Sequence, residues 1–293
     1  MSPAVTTNRT SLQNILFATD FSASSDTALR YAIHLSGRYC STLYTGNVVP
    51  EELSDVQPPD PFHLRHAAKK NIANLLRSDA FAGIKHRELL REGEVSRVLS
   101  ELIEELDIDL VVLGTHGRGG VQKFLIGSVA EEIAGFAPCP VLMIGPNVFP
   151  KSVSELKLRR ILCATDLLQG STRAITYALW LAEHEYASLT LVHVLKGPVD
   201  VLSNHLQLSR DIALKRLAQL LPSEVPASVK TDLVVEIGAP AQQILRIAEA
   251  RRADLVVIGP HHTSYTRLST HLPWVAPHQV LCHAHCPVLT VRS

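Results

Sequence analysis

Residues 15–36 read ILFATDFSASSDTALRYAIHLS, and residues 161–182 read ILCATDLLQGSTRAITYALWLA. Each opens on an apolar run suited to a buried strand, turns at Ala-Thr-Asp, and continues with apolar residues at helical spacing. Two further segments return: DLVVLGTHG from Asp109 as DLVVIGPHH from Asp254, and CPVLMIG from Cys139 as CPVLTVR from Cys286. The offsets are 146, 145 and 147 residues, so separated segments keep register and one unit has been duplicated. The join falls in NVFPKSVSELKL, where a proline and polar residues interrupt the apolar pattern. The expected division is a flexible tail over 1–10, a domain over 11–146, a linker over 147–158 and a second domain over 159–293.

Within the first half the pattern predicts strands at 14–19, 42–48, 84–90, 109–114 and 140–144, and helices at 24–39, 62–80, 95–106 and 128–136. The runs DLVVLG and DLVVIG lack the alternation of a half-exposed strand. They suit strands covered on both faces, hence an α/β fold of two tandem doubly wound domains with parallel sheets and helices on each side.

Composition narrows the function classes. With 28 basic and 28 acidic residues there is no excess of cations for a nucleic-acid surface. No run of eighteen apolar residues exists, so no membrane span is expected. The opening MSPAVTTNRTSLQ has no apolar core behind a positive flank and reads as a polar tail without a signal peptide. The five cysteines, Cys40, Cys139, Cys163, Cys282 and Cys286, have no framework spacing and fit reduced thiols in the cytoplasm.

Between the fourth strand and the last helix of the first half lies GTHGRGGVQKFLIGS, with Gly114, Gly117, Gly119, Gly120 and Gly127 inside fourteen residues. Glycines let several N–H groups approach one anion, and the helix that follows adds unpaired N–H groups and the positive end of its dipole. That is the chemistry of a phosphate cradle. The plainer alternative is helix capping, since Ser128 to Glu131 reads as a capping box.

The spacing Gly114-x2-Gly117-x9-Gly127-Ser128, with ATDFS after the first strand and APCPVLMIG at the last, resembles the universal stress protein family over nearly the whole chain, the first half more closely. The resemblance implies a five-stranded parallel sheet of order 3-2-1-4-5 in each domain. It also implies an ATP site in which Gly114, Gly117, Gly127 and Ser128 hold phosphates and ribose, Asp20 lies by the nucleotide, and the backbone at Val48 meets adenine. A Mg or other divalent cation on the phosphates goes with it. Pairing of the edge strands PVLMIG and PVLTV would join the halves as an internal pseudo-dimer, and two chains would associate further as a homodimer.

Other residues have two readings each. Asp20 either serves the ligand or caps the first helix. Arg118 and Lys123 either favour a triphosphate or are solvated, and His116 fills the loop. Residues 50–63, PEELSDVQPPDPFH, are either a lid or a proline-rich linker. In the second half Pro260, which cannot donate an N–H to an anion, replaces Thr115 and His262 puts a side chain in place of Gly117, while Trp274 and Val275 stand opposite Gly127 and Ser128. The cradle is lost there although Asp166 matches Asp20, so one nucleotide per chain is expected.

The functional expectation is a cytoplasmic regulatory protein that binds ATP and unidentified protein partners, with no nucleic acid and no membrane. Slow ATP hydrolysis is the first alternative, although the loop offers no general base and no arginine finger. A metal-sensing or structural module is the second. His261, His262, His271, His278, His283 and His285 cluster near Cys282 and Cys286, and on one helix His278, Cys282 and Cys286 would stack as three zinc ligands. Against zinc, Cys286 matches Cys139 at an ordinary strand entry.

Overall fold

The computed structural model describes residues 11–50, 61–115, 126–168, 171–196, 204–259 and 275–292. The first half runs β1 (Asn14–Ala18), α1 (Ala23–Tyr39), β2 (Thr42–Val49), α2 (Pro61–Leu76), β3 (Lys85–Glu92), α3 (Val95–Glu105), β4 (Leu110–Gly114), α4 (Ser128–Phe136) and β5 (Val141–Ile144). The second runs β6 (Arg160–Thr165), α5 (Thr172–His184), β7 (Ser188–Leu195), α6 (Asn204–Gln219), β8 (Thr231–Ile237), α7 (Pro240–Ala250), β9 (Leu255–Ile258), α8 (Val275–His283) and β10 (Val288–Thr290). The long predicted helix at 62–80 stops at Leu76 and is followed by a separate short turn, Asp79–Phe81, capped by the Ser78 hydroxyl. No helix among the described residues is long and apolar enough to cross a membrane.

The strands form a single ten-stranded sheet in the order β3-β2-β1-β4-β5-β10-β9-β6-β7-β8. Each half is parallel within itself, and the halves join where β5 and β10 run antiparallel with Leu142 opposite Leu289. Thus the edge strands do pair. The central strands are sealed from water, Ile15, Leu16, Val111, Val112, Val256 and Val257 being at most 0% exposed. One apolar core under α1, α5 and α6 and another under α3, α4, α7 and α8 each run through both halves. By contrast β3, KHRELLRE, is an outer strand with most side chains in solvent, and its charges protect a free edge from stray pairing.

Duplication extends to strained backbone. Phe21 and Leu167 take φ of 61° and 66°, Cys40 and Tyr186 56° and 52°, Asp107 and Arg252 47° and 50°. A non-glycine residue in this left-handed region costs about 1–2 kcal/mol, yet all three turns recur in both halves. The turns therefore belong to the architecture, and so does the point where strand order reverses. In the first half this lies between β1 and β4, the place where open parallel sheets hold ligands beyond their carboxyl ends.

Candidate functional site

At that point a cavity of about 450 Å³ opens among β1, β2, β4, α2, α3 and α4. Asp20, Val48, Gly114, Gly127 and Ser128 all line it. Gly117 and Arg118, with His116 and Lys123, lie outside the described residues. Of the segment 50–63, Pro50 lines the cavity, 61–63 begin α2, and 51–60 lie outside the described residues.

Asp20 follows β1 in a tight turn. Its Oδ1 accepts from the Ser22 N–H at 3.0 Å and the Ser25 hydroxyl at 2.7 Å, and the Thr19 hydroxyl accepts the Phe21 N–H at 2.9 Å. Asp166 accepts from Leu168 N–H and the Ser171 hydroxyl at 3.0 and 2.8 Å, and Thr165 accepts from Leu167 N–H at 3.1 Å. Because the second half keeps this geometry, Oδ1 at both positions is occupied by the turn and the start of the next helix. The capping reading of Asp20 is therefore part of its role. Asp20 is also the only ionisable side chain among the described residues that line the cavity.

Gly114 is bare for a packing reason. A Cβ built there falls 2.5 Å from Ser24 Oγ and 2.9 Å from the Ser24 carbonyl carbon, so β4 approaches the start of α1 as only glycine allows. Thr115 is then pinned, its N–H and hydroxyl both directed to the Ile144 carbonyl at 3.0 and 3.2 Å. This corrects the reading of Pro260 as a lost anion donor: the N–H in question serves the sheet. The Thr115 carbonyl in turn accepts the Gly127 N–H at 2.7 Å, which closes the base of the glycine-rich loop.

Helix α4 starts one residue earlier than a capping box requires. Its N-cap is Gly127, with no side-chain cap, and Ser128 is already the first helical residue. The capping-box reading of Ser128 to Glu131 is thereby corrected: a serine inside the helix cannot fold back on the N–H groups that an N-cap serine reaches. Gly127 to Ala130 line the cavity, so the first turn of α4 and its dipole border it, with no side-chain cap among the described residues.

Val48 lies one residue before the end of β2 and is 8% exposed. Gly46 gives its carbonyl to Thr19 N–H on the β1 side, and Val49 gives its carbonyl to Gly93 N–H on the β3 side. Alternation along a strand therefore turns the Val48 N–H and C=O toward the side where β1 has ended at Ala18. Beside it, Asn47 Nδ2 donates to the Thr19 carbonyl at 2.7 Å and fixes the strand end. The far wall comes from α2, through Leu64, Ala67, Ala68 and Asn71, and from Val95 and Leu99 of α3. Sequence reasoning missed that wall, although the small Ala67-Ala68 pair beside buried Ile72 is a signal for space above a helix.

The second half differs at the same places. Gly259 remains, with a Cβ there meeting Ala174 Cβ at 3.1 Å. Ile212 stands 145 residues after Ala67 and is 45% exposed, and Arg216 stands 145 after Asn71. Pro260, His261, His262, His271 and Trp274 lie outside the described residues. The three-ligand zinc reading is corrected: α8 ends at His283, and Cys286 is in the following turn, leaving only His278 Nδ1 and Cys282 Sγ together at 3.8 Å. Among the described residues no group of three or more potential ligands could hold a metal ion.

The profile of the universal stress protein family matches residues 11–145 and again 157–292. A Staphylococcus aureus (strain USA300) protein bearing the family name is 30% identical over 159 residues, covering 50% of this chain and 95% of its own. A universal stress protein structure from Archaeoglobus fulgidus aligns with a TM-score of 0.69 at 18% identity, covering 94% of this chain and 97% of that one. Another structure named for the family, from Pseudomonas aeruginosa, gives 0.64 at 20% identity with coverages of 96% and 94%. At these identities the structures speak for the fold alone, and they do so across both halves. With its profile matched twice and its fold shared end to end, the chain belongs to the universal stress protein family, as two tandem copies of the domain.

Proposed function

We propose that the chain is a cytoplasmic regulatory protein that binds ATP in its first half, residues 11–146, and that residues 159–293 form a companion domain with a degenerate loop. The observation that carries this reading is the convergence on one cavity of an uncapped helix N-terminus and a strand end with outward backbone groups. Adenine would sit against the Val48 edge, with Leu64, Ala67 and Leu99 giving it an apolar wall. The phosphates would reach Gly127, Ser128 and the start of α4, and Gly117 and Arg118 would complete the cradle from the loop.

Asp20 is the one acid in the described lining, so phosphate charge is offset by the helix dipole, the loop cations and a divalent ion carried on the phosphates. Hydrolysis is not part of the reading: Asp20 Oδ1 is already engaged by Ser22 and Ser25, and no other carboxylate in the described lining could act as a base. Occupancy would instead set affinity for protein partners.

The test is Gly127→Asp. Aspartate and glycine are both favoured N-caps and differ by only about a few tenths of a kcal/mol, and a Cβ at 127 meets the Thr115 carbonyl oxygen at 3.3 Å, which a small shift relieves, while the new carboxylate stands where a phosphate is expected. Stability kept and ATP affinity reduced a hundredfold or more is the expected pair of results. Unchanged affinity would remove α4 from the site.

A further inference from the structure

The halves meet at the β5–β10 pairing and also where the carboxyl ends of α1 and α5 cross. Duplication makes this second contact pseudo-symmetric, position 39 corresponding to 185 and position 34 to 180. In one copy of it Tyr39 stacks on Trp180, with ring centroids 5.3 Å apart. In the other, the duplication sets Glu185 toward His34, and the Glu185 charge acts on the ring. The same two positions thus carry an aromatic stack on one side and a titratable pair on the other.

Glu185 is 7% exposed and well compensated. Its Oε1 accepts the Tyr39 hydroxyl at 2.8 Å and lies 3.7 Å from Arg38 Nε, and the Arg38 guanidinium also donates to the His184 carbonyl. His34 is less well provided. The Val153 backbone favours its protonated form, but Nε2 is enclosed with no hydrogen-bond partner. A neutral ring tolerates this as an unused lone pair. A proton added there becomes a buried charged donor without an acceptor.

We propose that this contact is an acid-operated joint: protonation of His34 loosens the packing of α1 on α5, while the β5–β10 pairing continues to hold the halves together.

Burial decides the sign against the opposing charge of Glu185. Burial lowers the His34 pKa from 6.5, Arg38 lowers it further, and Glu185 and the Val153 carbonyl oppose this only in part. Tyr39 is held protonated far above its ordinary range by burial and by Glu185. His184 is exposed, with Nδ1 2.9 Å from the Trp180 carbonyl, and Glu155 beside Val153 is tied to Ser152. Since the folded pKa lies below the unfolded one, the contribution of neutral His34 is complete above pH 6.5 and is lost as pH falls through the window beneath it.

The test uses the full chain. The His34 ring is titrated by NMR, assigned against His34→Gln, and amide exchange corrected for intrinsic rate is followed from pH 7.5 to 5.5. His34 should titrate below 6.5, and segments 34–41 and 180–187 should lose up to tenfold in protection per pH unit below that value, as one proton allows. His34→Gln should not show the loss, nor should β1 and β4. Titration of His34 at or above 6.5, or an equal loss in His34→Gln, overturns the joint. If the variant does not fold, the wild-type ring is assigned through its own backbone resonances, and His34 titrating below 6.5 without loss of protection in 34–41 and 180–187 overturns the joint.

Discussion

Gly114 and Gly259 occupy the same place in the two halves, so alanine at each is a matched experiment. At 114 the new Cβ would lie 2.5 Å from Ser24 Oγ, 2.9 Å from the Ser24 carbonyl carbon and 3.0 Å from its Cβ, so backbone must shift. At 259 the nearest contacts are Ala174 Cβ at 3.1 Å and Ser171 Cα at 3.4 Å, which a few tenths of an ångström relieve. Overpacking of the first kind costs about 1–3 kcal/mol, and loss of glycine freedom in the unfolded chain returns about 0.4–1 kcal/mol. Gly114→Ala should therefore be destabilised by about 1–2 kcal/mol, a factor of roughly 5–30 in the unfolding equilibrium, and Gly259→Ala should be close to neutral. Urea unfolding of both variants reads the difference as a shift in midpoint at constant slope. Because Ser24 borders the Asp20 turn, Gly114→Ala should also weaken ATP. Equal midpoints for the two variants would refute the packing role assigned to Gly114.

Three other outcomes are expected. Asp20→Asn keeps Oδ1 and with it the turn, so stability should hold within about 0.5 kcal/mol while Mg-ATP affinity changes; Asp166→Asn should leave affinity untouched, and identical calorimetry for both would take Asp20 out of the site. Tyr39→Phe removes the hydroxyl from buried Glu185 and should cost about 1.5–3 kcal/mol, as for hydrogen bonds to charged groups, with no change in chemical denaturation counting against that contact. Burial pushes the thiols of Cys139, Cys163 and Cys286 up to about 12 and raises that of Cys282, whereas Cys40 is exposed. A disulfide reagent at pH 8 should thus modify one of the five thiols rapidly in the native state, and three or more fast thiols would contradict the burial.

Much of the fold was legible because it rests on local signals. Apolar runs ending at Ala18, Gly114 and Ile144 and helical spacing through Val98, Leu102 and Ile103 fix the elements, and the offset between halves fixes their equivalence. Features set by contacts between distant segments were not legible. Gly114 reads like any loop glycine until Ser24 is seen against it, and the Thr115 N–H is assigned only when Ile144 lies beside it. Ser128 and Gly127 compete for the N-cap by one residue, a margin below what pattern reading resolves. Cys286 keeps helical spacing in sequence, but α8 has ended before it. The joint at His34 and Glu185 pairs residues 151 apart and carries no motif at all.

The claim that the first half alone holds nucleotide is tested most directly by calorimetric titration of untagged full chain, freed of any co-purified nucleotide, with ATP and Mg. One site per chain, abolished by Gly127→Asp and kept in Asp166→Asn, is the expected result. Two equivalent sites would show that the second half has kept its cradle, and no binding at all would show that the cavity beside α4 is not a nucleotide site.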